Sequence, residues 1–207
     1  MSTTGLTSVR QVAIFDLVTE QRLHPSLAKR FRSGRVCLDF LHTGGTADWV
    51  EPELLQDPGS LERWLAHVLG LARVGAEAAD VPAAHRLRDA LWELARARTR
   101  GLDLAAEHVE TLNGFAAAAP PVLRLAVDGS VEPVDVTAAA ALSAIARDAV
   151  DLFAGPLGYR VRVCAAEDCA LLFVDASRPG TRRWCSMERC GNIAKIRNHR
   201  RNVTRTP

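Results

Sequence analysis

The sequence has little cysteine outside one short stretch. Four of its five cysteines lie between residues 164 and 190, and the fifth, Cys37, stands in the apolar stretch VCLDF. A chain of 207 residues with this distribution is not a small scaffold held together by disulfides, and 48% hydrophobic residues are enough for a sizeable core. We therefore expect a folded chain in which Cys37 is a buried core thiol.

Long apolar runs are also missing. No stretch approaches the roughly 18 apolar residues that a membrane-spanning helix needs. Residues 1–20 lack the basic start, unbroken apolar run and small-residue cleavage site of a secretory signal. The sequence thus predicts a cytoplasmic protein that does not contact a membrane, and in that compartment thiols stay reduced.

The common catalytic motifs are absent as well. The sequence has no glycine-rich phosphate loop, no G-x-S-x-G and no H-E-x-x-H. Its six histidines are scattered, and none stands at ligand spacing from a cysteine or another histidine. We predict that the protein is not an enzyme and assign no catalytic residue.

Charge is unevenly distributed. The net charge is only +2, but residues 178–207 contain nine basic residues and one acid, Glu188, so this stretch carries +8. The remaining residues therefore carry −6. A basic end on an acidic body is typical of a protein that binds a polyanion with that end.

Hydrophobic periodicity predicts a fold that is mainly α with a small β component. Helical spacing recurs in four stretches, with Ser60 as the expected N-cap of the first and Gly101 as the stop of the second; the stretches are residues 57–75, 81–101, 103–119 and 136–155. Two β-prone runs flank Asp128-Gly129, which predicts a β-hairpin within the helical domain.

Three units follow from these patterns. We predict an N-terminal extension over residues 1–31, a helical domain over 32–156 that opens with the apolar patch RVCLDFLHTGG, and a cysteine-containing module over 160–207. The extension contains VRQVAIFDLVTEQRL, which we interpret as a short helix with contacts of its own.

The four clustered cysteines form two pairs of identical spacing. Cys164 and Cys169 are separated by four residues, as are Cys185 and Cys190. Two loops that each present two thiolates suit one tetrahedral, structural zinc ion. Two disulfides or an iron–sulfur cluster are alternatives that the spacing leaves open, but a reducing compartment and the absence of ferredoxin spacings disfavour them.

Residues around the cysteines support a small metal module. ALLFVDAS between the pairs predicts a strand of a β-hairpin that leads into a turn at residues 178–180. Gly191, directly after the last cysteine, is expected to turn the chain with a positive φ. We expect Arg182, Arg183 and Arg189 to balance the negative charge of four thiolates.

These residues carry a family resemblance. WCSMERCGN, preceded by a C-x4-C pair and FVDASRPGTRR, resembles the CGNR-type zinc finger of bacterial proteins, and GRVCLDFLHT resembles the opening of the helical ABATE domain that precedes it. The resemblance spans residues 32–202 and implies a stress-responsive transcription regulator, with a sensing domain and a finger that binds DNA. Ile193 stands where the finger signature has Arg, and His42 where the opening motif has Asn.

The segment NIAKIRNHRRNVTR is predicted to form a basic helix capped by Asn192. Ile193 and Ile196 would then pack inward while Arg197, Arg200 and Arg201 share an outer face. Phosphate contacts suit that face and base contacts suit Asn198 and His199, so the predicted contacts to double-stranded DNA are Arg182, Arg183, Lys195, Arg197, Asn198, His199, Arg200 and Arg201.

Two other uses of this surface stay open. The helix could be a solvated face that only balances the thiolates, or the finger could be an adaptor that recruits an acidic protein partner without binding DNA. In the helical domain, Asp39, His42 and Trp49 are a candidate pocket for a small-molecule effector, with core packing as the alternative. A homodimer is a further expectation, because one finger makes a small interface with DNA.

Overall fold

The computed structural model describes residues 31–45, 52–130 and 135–203, with side chains as far as residue 197. The chain is mainly helical with few strands, as the sequence predicts. Its helices are α1 (Val36–Leu41), α2 (Pro58–Leu69), α3 (Asp80–Arg100), α4 (Ala106–Ala117), α5 (Ala138–Ala154) and α6 (Asn192–Val203). Its strands are β1 (Val74–Gly75), β2 (Val136–Thr137), β3 (Val161–Val163) and β4 (Leu172–Val174).

Local sequence explains where these helices begin and end. The Asp57 side chain accepts a hydrogen bond from the Ser60 N–H, and the Ser60 hydroxyl accepts one from the Asp57 N–H, so the two form a reciprocal capping box before α2. The N-cap is therefore Asp57, not Ser60, and Ser60 is its partner. Helix α3 ends at Gly101, whose φ of 68° is left-handed, as the predicted stop requires.

Helices α1, α2, α3 and α5 enclose the main core. The short helix α1 is buried over residues 37–41 and packs against α3 and α5, so the apolar patch predicted near the start is a helix at the centre of the domain. The core continues beyond the helical domain, because Val161, Leu172 and Val174 of the β3–β4 hairpin belong to the same cluster of buried side chains.

A buried cation holds the chain just after α1. Arg88 of α3 forms a two-pronged ion pair with Glu53, and its Nη1 also donates to the Thr43 hydroxyl over 3.1 Å. A Cβ at Gly44 would lie 2.6 Å from that same Nη1. Gly44 is therefore required, because any side chain there would collide with the Arg88 guanidinium that passes against the backbone.

The turn predicted at Asp128-Gly129 is present. The φ of Gly129 is 83°, and the Ala126 N–H donates to the Ser130 carbonyl over 2.8 Å. No strand flanks this turn within the described residues 122–130. The apolar side chains of residues 122, 123, 125 and 127 are exposed, and a hairpin without a surface to pack on is only marginally stable.

The β-structure of the helical domain is formed elsewhere. Strand β2 pairs in parallel with β1, with Val74 opposite Val136 and Gly75 opposite Thr137. Both valines are buried in the core. The strand pair of this domain therefore joins residues distant in sequence, whereas the Asp128-Gly129 turn had predicted a pair between the two runs that flank it.

Candidate metal centre and basic surface

The β3–β4 hairpin presents the first two cysteines. Val161 lies opposite Val174 and Val163 opposite Leu172 in this antiparallel pair. The strand predicted between the cysteine pairs is therefore confirmed as β4, and its hairpin partner β3 precedes Cys164. The Cys164 N–H donates to the Leu171 carbonyl over 2.9 Å at the end of the ladder. Cys164 and Cys169 therefore lie in the connection between two paired strands, which holds their Cα atoms in place.

A turn after β4 positions the second pair. The buried carboxylate of Asp175 accepts hydrogen bonds from the Ser177 N–H and hydroxyl and, at 2.9 Å, from the Arg182 N–H. The Ala165 N–H then donates to the Arg183 carbonyl over 2.8 Å, which joins the two cysteine loops directly. Asp175 is thus a positioning residue that the sequence analysis did not identify. The D-A-S order indicates it, because an Asp two residues before a Ser commonly caps its own turn.

The four sulfurs meet in one buried cluster. Their Sγ atoms all lie within 4.8 Å of one another, with 3.8 Å between Cys169 and Cys185 and 3.7 Å between Cys185 and Cys190. A tetrahedron of thiolates around zinc, with Zn–S bonds of about 2.3 Å, has S···S edges of about 3.8 Å. The donor set and its dimensions therefore fit one zinc ion with four ligands, and such a closed shell is structural.

The electrostatics of the cluster call for a cation. A hydrogen bond to Cys164 raises the pKa of Cys169 to about 12, and a hydrogen bond to Cys164 also raises the pKa of Cys185 above its ordinary value. Hydrogen bonds from Cys169 and Cys185 lower the pKa of Cys164 in turn. The Cys164 thiolate is stabilised while the thiols around it are kept protonated. A bound cation is needed for all four cysteines to ionise together.

Gly191 follows the last cysteine for a reason other than the one predicted. It lies in a turn of π-helix over Met187–Gly191, and its φ is not positive. The predicted left-handed turn is therefore wrong. A Cβ on Gly191 would lie 2.7 Å from the Met187 Sδ. The glycine allows close packing under the π-helical turn instead.

The two arginines of the R-R pair have different environments. Arg182 is half-buried, its guanidinium lies 4.7 Å from the Phe173 ring, and its side chain donates to the carbonyls of Trp184 and Cys185. Arg183 is exposed and lies 5.3 Å from the Trp184 ring. Arg182 therefore stabilises the loop before Cys185, and Arg183 points its charge to the surface.

The orientation of α6 differs from the prediction. Arg197 forms ion pairs with Asp168 at 2.5 Å and Glu167 at 3.5 Å, both in the loop between the first two cysteines. Ile193 and Ile196 are 44% and 52% exposed. The prediction that the isoleucines pack inward and Arg197 faces outward is wrong, because the acids of A-A-E-D-C attract Arg197 to the metal loop.

The rest of the predicted DNA contacts lie on or beside α6. Lys195 is exposed on its surface. Asn198, His199, Arg200 and Arg201 lie within the helix, and their side chains lie outside the described part of the structure. Asn192 is the first residue of α6 with helical φ and ψ, not its N-cap.

Two of the three predicted pocket residues are part of the packed core. The Asp39 carboxylate accepts from the Ser33 N–H over 2.9 Å, and His42 Nε2 lies 3.0 Å from the Leu172 carbonyl. Both side chains are buried, and Trp49 lies outside the described residues. The His42 contact crosses from the helical domain to the metal hairpin, as does the 2.9 Å bond from the Val174 N–H to the Ser33 carbonyl.

An open groove lies instead on another part of the helical domain. It measures about 310 Å³, and Phe115 and Leu142 give it an apolar wall. The carboxylates of Asp80 and Glu110 also line it. Sequence periodicity could place these residues on helices α3, α4 and α5, but it gave no signal that the three helices leave a gap between them.

Comparison with known protein families agrees with this geometry. Residues 34–156 match the ABATE family, described as "Putative stress-induced transcription regulator", and residues 160–202 match the CGNR zinc finger. A search of curated proteins finds no match to the chain. No helix among the described residues is both long and apolar enough to cross a membrane.

The zinc finger match and the buried four-cysteine cluster together show one structural zinc ion. Neither matched family is an enzyme family, and the combination is that of a zinc-binding, regulator-like protein. The ABATE match alone covers more than half of the 207 residues. The chain therefore belongs to the ABATE family, and a CGNR zinc finger follows its ABATE domain.

Proposed function

We propose that this protein is a transcription regulator of the cytoplasm that binds double-stranded DNA through its zinc module and catalyses no reaction. The observation that supports it most is the exposed positive charge fixed around the metal cluster. Arg178, Arg183 and Lys195 are exposed on the module, and residues 178–207 carry +8 beside a body of −6. Phosphate is the natural partner of such a surface.

The internal contacts of the finger divide its cations into two groups. Arg182 and Arg197 are engaged by carbonyls and carboxylates of the module itself, so their primary role is to hold the metal loops. Arg178, Arg183 and Lys195 are the described cations that we assign to phosphate contact. Zinc holds the turn at residues 178–180 and the start of α6 in fixed positions relative to each other. Less conformational entropy is therefore lost when the module binds.

Asn198, His199, Arg200 and Arg201 extend this surface along α6. Positions 197, 200 and 201 share one helical face by spacing, and Arg197 of that face contacts the first cysteine loop. We propose that Arg200 and Arg201 contact the backbone of the duplex beyond that loop. Asn198 and His199 are the proposed base contacts, since both side chains can donate and accept.

Salt-dependent binding tests the proposal. The zinc-loaded full chain is titrated against a labelled duplex by fluorescence anisotropy at several salt concentrations. The triple variant Arg178→Ala, Arg183→Ala, Lys195→Ala should bind more weakly and show a log–log salt slope that is smaller by about 2 to 3 units, since each lost phosphate contact removes about one unit. Arg86→Ala, an exposed arginine of α3, is the matched control and should keep the wild-type slope.

The result also decides between the two functions considered for the finger. A triple variant that retains its zinc and the wild-type affinity and salt slope would contradict DNA binding through this surface. The adaptor function would then be favoured, in which the same cations bind an acidic protein partner with a defined stoichiometry. Zinc content is measured for each variant, so that loss of the fold is not taken for loss of a contact.

Regulation completes the proposal. We place a small-molecule effector in the groove beside Phe115 and Leu142, where the carboxylates of Asp80 and Glu110 favour an apolar molecule that carries a positive charge. A homodimer would raise the affinity that one finger alone provides. Light scattering of the purified protein measures the dimer directly, and a thermal-shift comparison of small apolar amines on wild type and Glu110→Gln tests the groove.

A further inference from the structure

The zinc module exposes an apolar surface that we call the finger apolar face, formed by Met187, Ile193 and Ile196. These side chains are 48%, 44% and 52% exposed. Ile193 and Ile196 are three residues apart on α6, so they lie on the same side of the helix. A Cβ on Gly191 would lie 2.7 Å from the Met187 Sδ, so Met187 lies beside the start of the same helix. Large apolar side chains exposed close together are typical of a surface that packs against another segment.

A cleft connects this face to the start of the helical domain. It measures about 280 Å³ and is lined by Arg32, Ser186, Glu188, Arg189 and Ile193. Arg32 Nη1 lies 3.1 Å from Glu188 Oε2, so an ion pair joins the two units at this point. Arg32 therefore lies beside Ile193 near the start of the described structure, and Phe31 before it packs on Trp64 of α2, with 5.7 Å between the ring centroids.

The preceding sequence matches this surface in chemistry. Residues 11–21 read QVAIFDLVTEQ, with six apolar residues, two acids and no base. The acids, Asp16 and Glu20, are four residues apart and would share one side of a helix. The cations nearest the finger apolar face in sequence are Arg189, Lys195 and Arg197, and Arg197 is already paired with the acids of the first cysteine loop. An acidic, apolar segment thus precedes an apolar face flanked by bases.

The connection is also long enough. Ten residues separate residue 21 from Arg32, and an extended connection of that length reaches about 35 Å. Helix α6 has 12 residues and is about 18 Å long. The segment can therefore reach any part of the face without moving the helical domain.

We propose that residues 11–21 of this chain dock on the finger apolar face, with Ile14, Phe15 and Val18 against Ile193 and Ile196 and the acids Asp16 and Glu20 on the opposite, outer side of the segment. The inference goes beyond DNA binding and does not depend on it. It assigns the N-terminal extension a partner within the same molecule, and it accounts for exposed isoleucines beside a metal site that is otherwise closed.

Photo-crosslinking of the zinc-loaded full chain tests the contact. Ile193 is replaced by p-benzoylphenylalanine, and the matched control places the same group at Leu123, an apolar residue of the helical domain that is 62% exposed. Irradiation of the position-193 protein should give an intramolecular crosslink that mass spectrometry maps to residues 9–23, and the control should give none to that segment. A crosslink to a second chain, shown by mixing with isotope-labelled protein, would overturn the proposal, as would no crosslink to the segment.

Hydrogen exchange gives an independent measurement that needs no replacement on the finger. Deletion of residues 1–30 should speed amide exchange in α6 about tenfold, because the buried apolar contact that stabilises the helix is lost. The change Ile14→Asp, Val18→Asp should lower the crosslink yield at position 193 at least about threefold, because it places charge on the side of the segment that contacts the isoleucines. Equal exchange in α6 with and without residues 1–30, at equal zinc content, would contradict the docking.

Discussion

Asp39 is a carboxyl group placed at the centre of the helical domain. It lies on the buried helix α1, and burial raises the pKa of Asp39 to about 7 although the Ser33 N–H favours the charged form. The nearby acid Asp148 raises it further. The folded protein therefore binds a proton at this site that the unfolded chain, with a carboxyl pKa near 3.9, releases at lower pH.

The sign of the resulting pH dependence follows from linkage. Because the folded pKa lies above the unfolded one, the contribution of Asp39 to stability is greatest below about pH 4 and is lost as pH rises towards 7. Asp39→Asn keeps an oxygen that can accept from Ser33 but does not ionise. The free energy of unfolding of this variant relative to wild type should rise between pH 4 and 7, by at most about 4 kcal/mol.

Urea unfolding at several pH values measures this difference. Zinc binding also changes with pH, but it does so in both proteins and cancels in the comparison. Asp89→Asn, an exposed acid of α3, is the matched control for the loss of a carboxylate. An Asp39→Asn difference that does not vary between pH 4 and 7 would mean that the pKa of Asp39 is the same in the folded and the unfolded chain.

At the scale of single elements, the capping box of α2 gives a simple test. Asp57→Ala removes the acceptor for the Ser60 N–H, which lies 2.7 Å from Asp57 Oδ1. The helix keeps Pro58 at its start and Gly70 at its end. We expect a loss of about 1 kcal/mol in the free energy of unfolding, typical of an N-cap, measured by denaturant unfolding. A Ser60→Ala variant removes the two bonds of its hydroxyl to the Asp57 backbone but leaves the Ser60 N–H capped by the Asp57 carboxylate. It should lose a smaller amount, and an equal or larger loss would contradict the assignment of Asp57 as the cap.

Elements with a strong local signal were predictable from the sequence. Helices α2 to α5 follow the apolar period and its stop signals, and the metal loops follow cysteine spacing. The orientation of α6 was not predictable, because Ile193 and Ile196 have the period of a buried face while Glu167 and Asp168, some 30 residues earlier, attract Arg197. The ion pairs between α6 and the first cysteine loop thus set the orientation of the helix against its own apolar pattern.

The β-structure and the roles of Asp39 and His42 show the same limit. Asp128-Gly129 forms its turn, but no local rule shows that Val136 pairs with Val74. Asp39 and His42 were polar residues near a glycine turn and suggested a pocket. Their partners, Ser33 and Leu172, are set by how the metal hairpin packs on α1, which depends on contacts distant in sequence.

At the scale of the whole molecule, the metal and the helices share one core. The hairpin that leads to Cys164 contributes three buried side chains to the cluster around α1, α3 and α5. The boundary predicted at residues 156–160 separates two units in the sequence. That each unit folds independently remains a prediction. Stability at one side of it should nevertheless depend on the other.

Removal of zinc tests this coupling. A chelator should lower the melting temperature of the helices, followed by circular dichroism at 222 nm, by on the order of 10 °C, because a free hairpin holds Val161, Leu172 and Val174 less firmly in the core. Added zinc should restore the wild-type melt, and Cys164→Ser should not respond to either treatment. A helical melt that is identical with and without zinc would show two independent units.

The bond between Ser33 and Val174 also has a consequence for synthesis of the chain on the ribosome. These residues share a backbone hydrogen bond, yet 140 residues must be translated between them. Nearly as many residues separate His42 from Leu172, whose carbonyl it contacts. A nascent chain that ends at residue 156 has made all of α1 to α5 but none of the hairpin that completes their core. Contacts of such sequence separation form late, so the helices remain partly exposed until the metal ligands have been translated, and the last step of folding and the capture of zinc coincide.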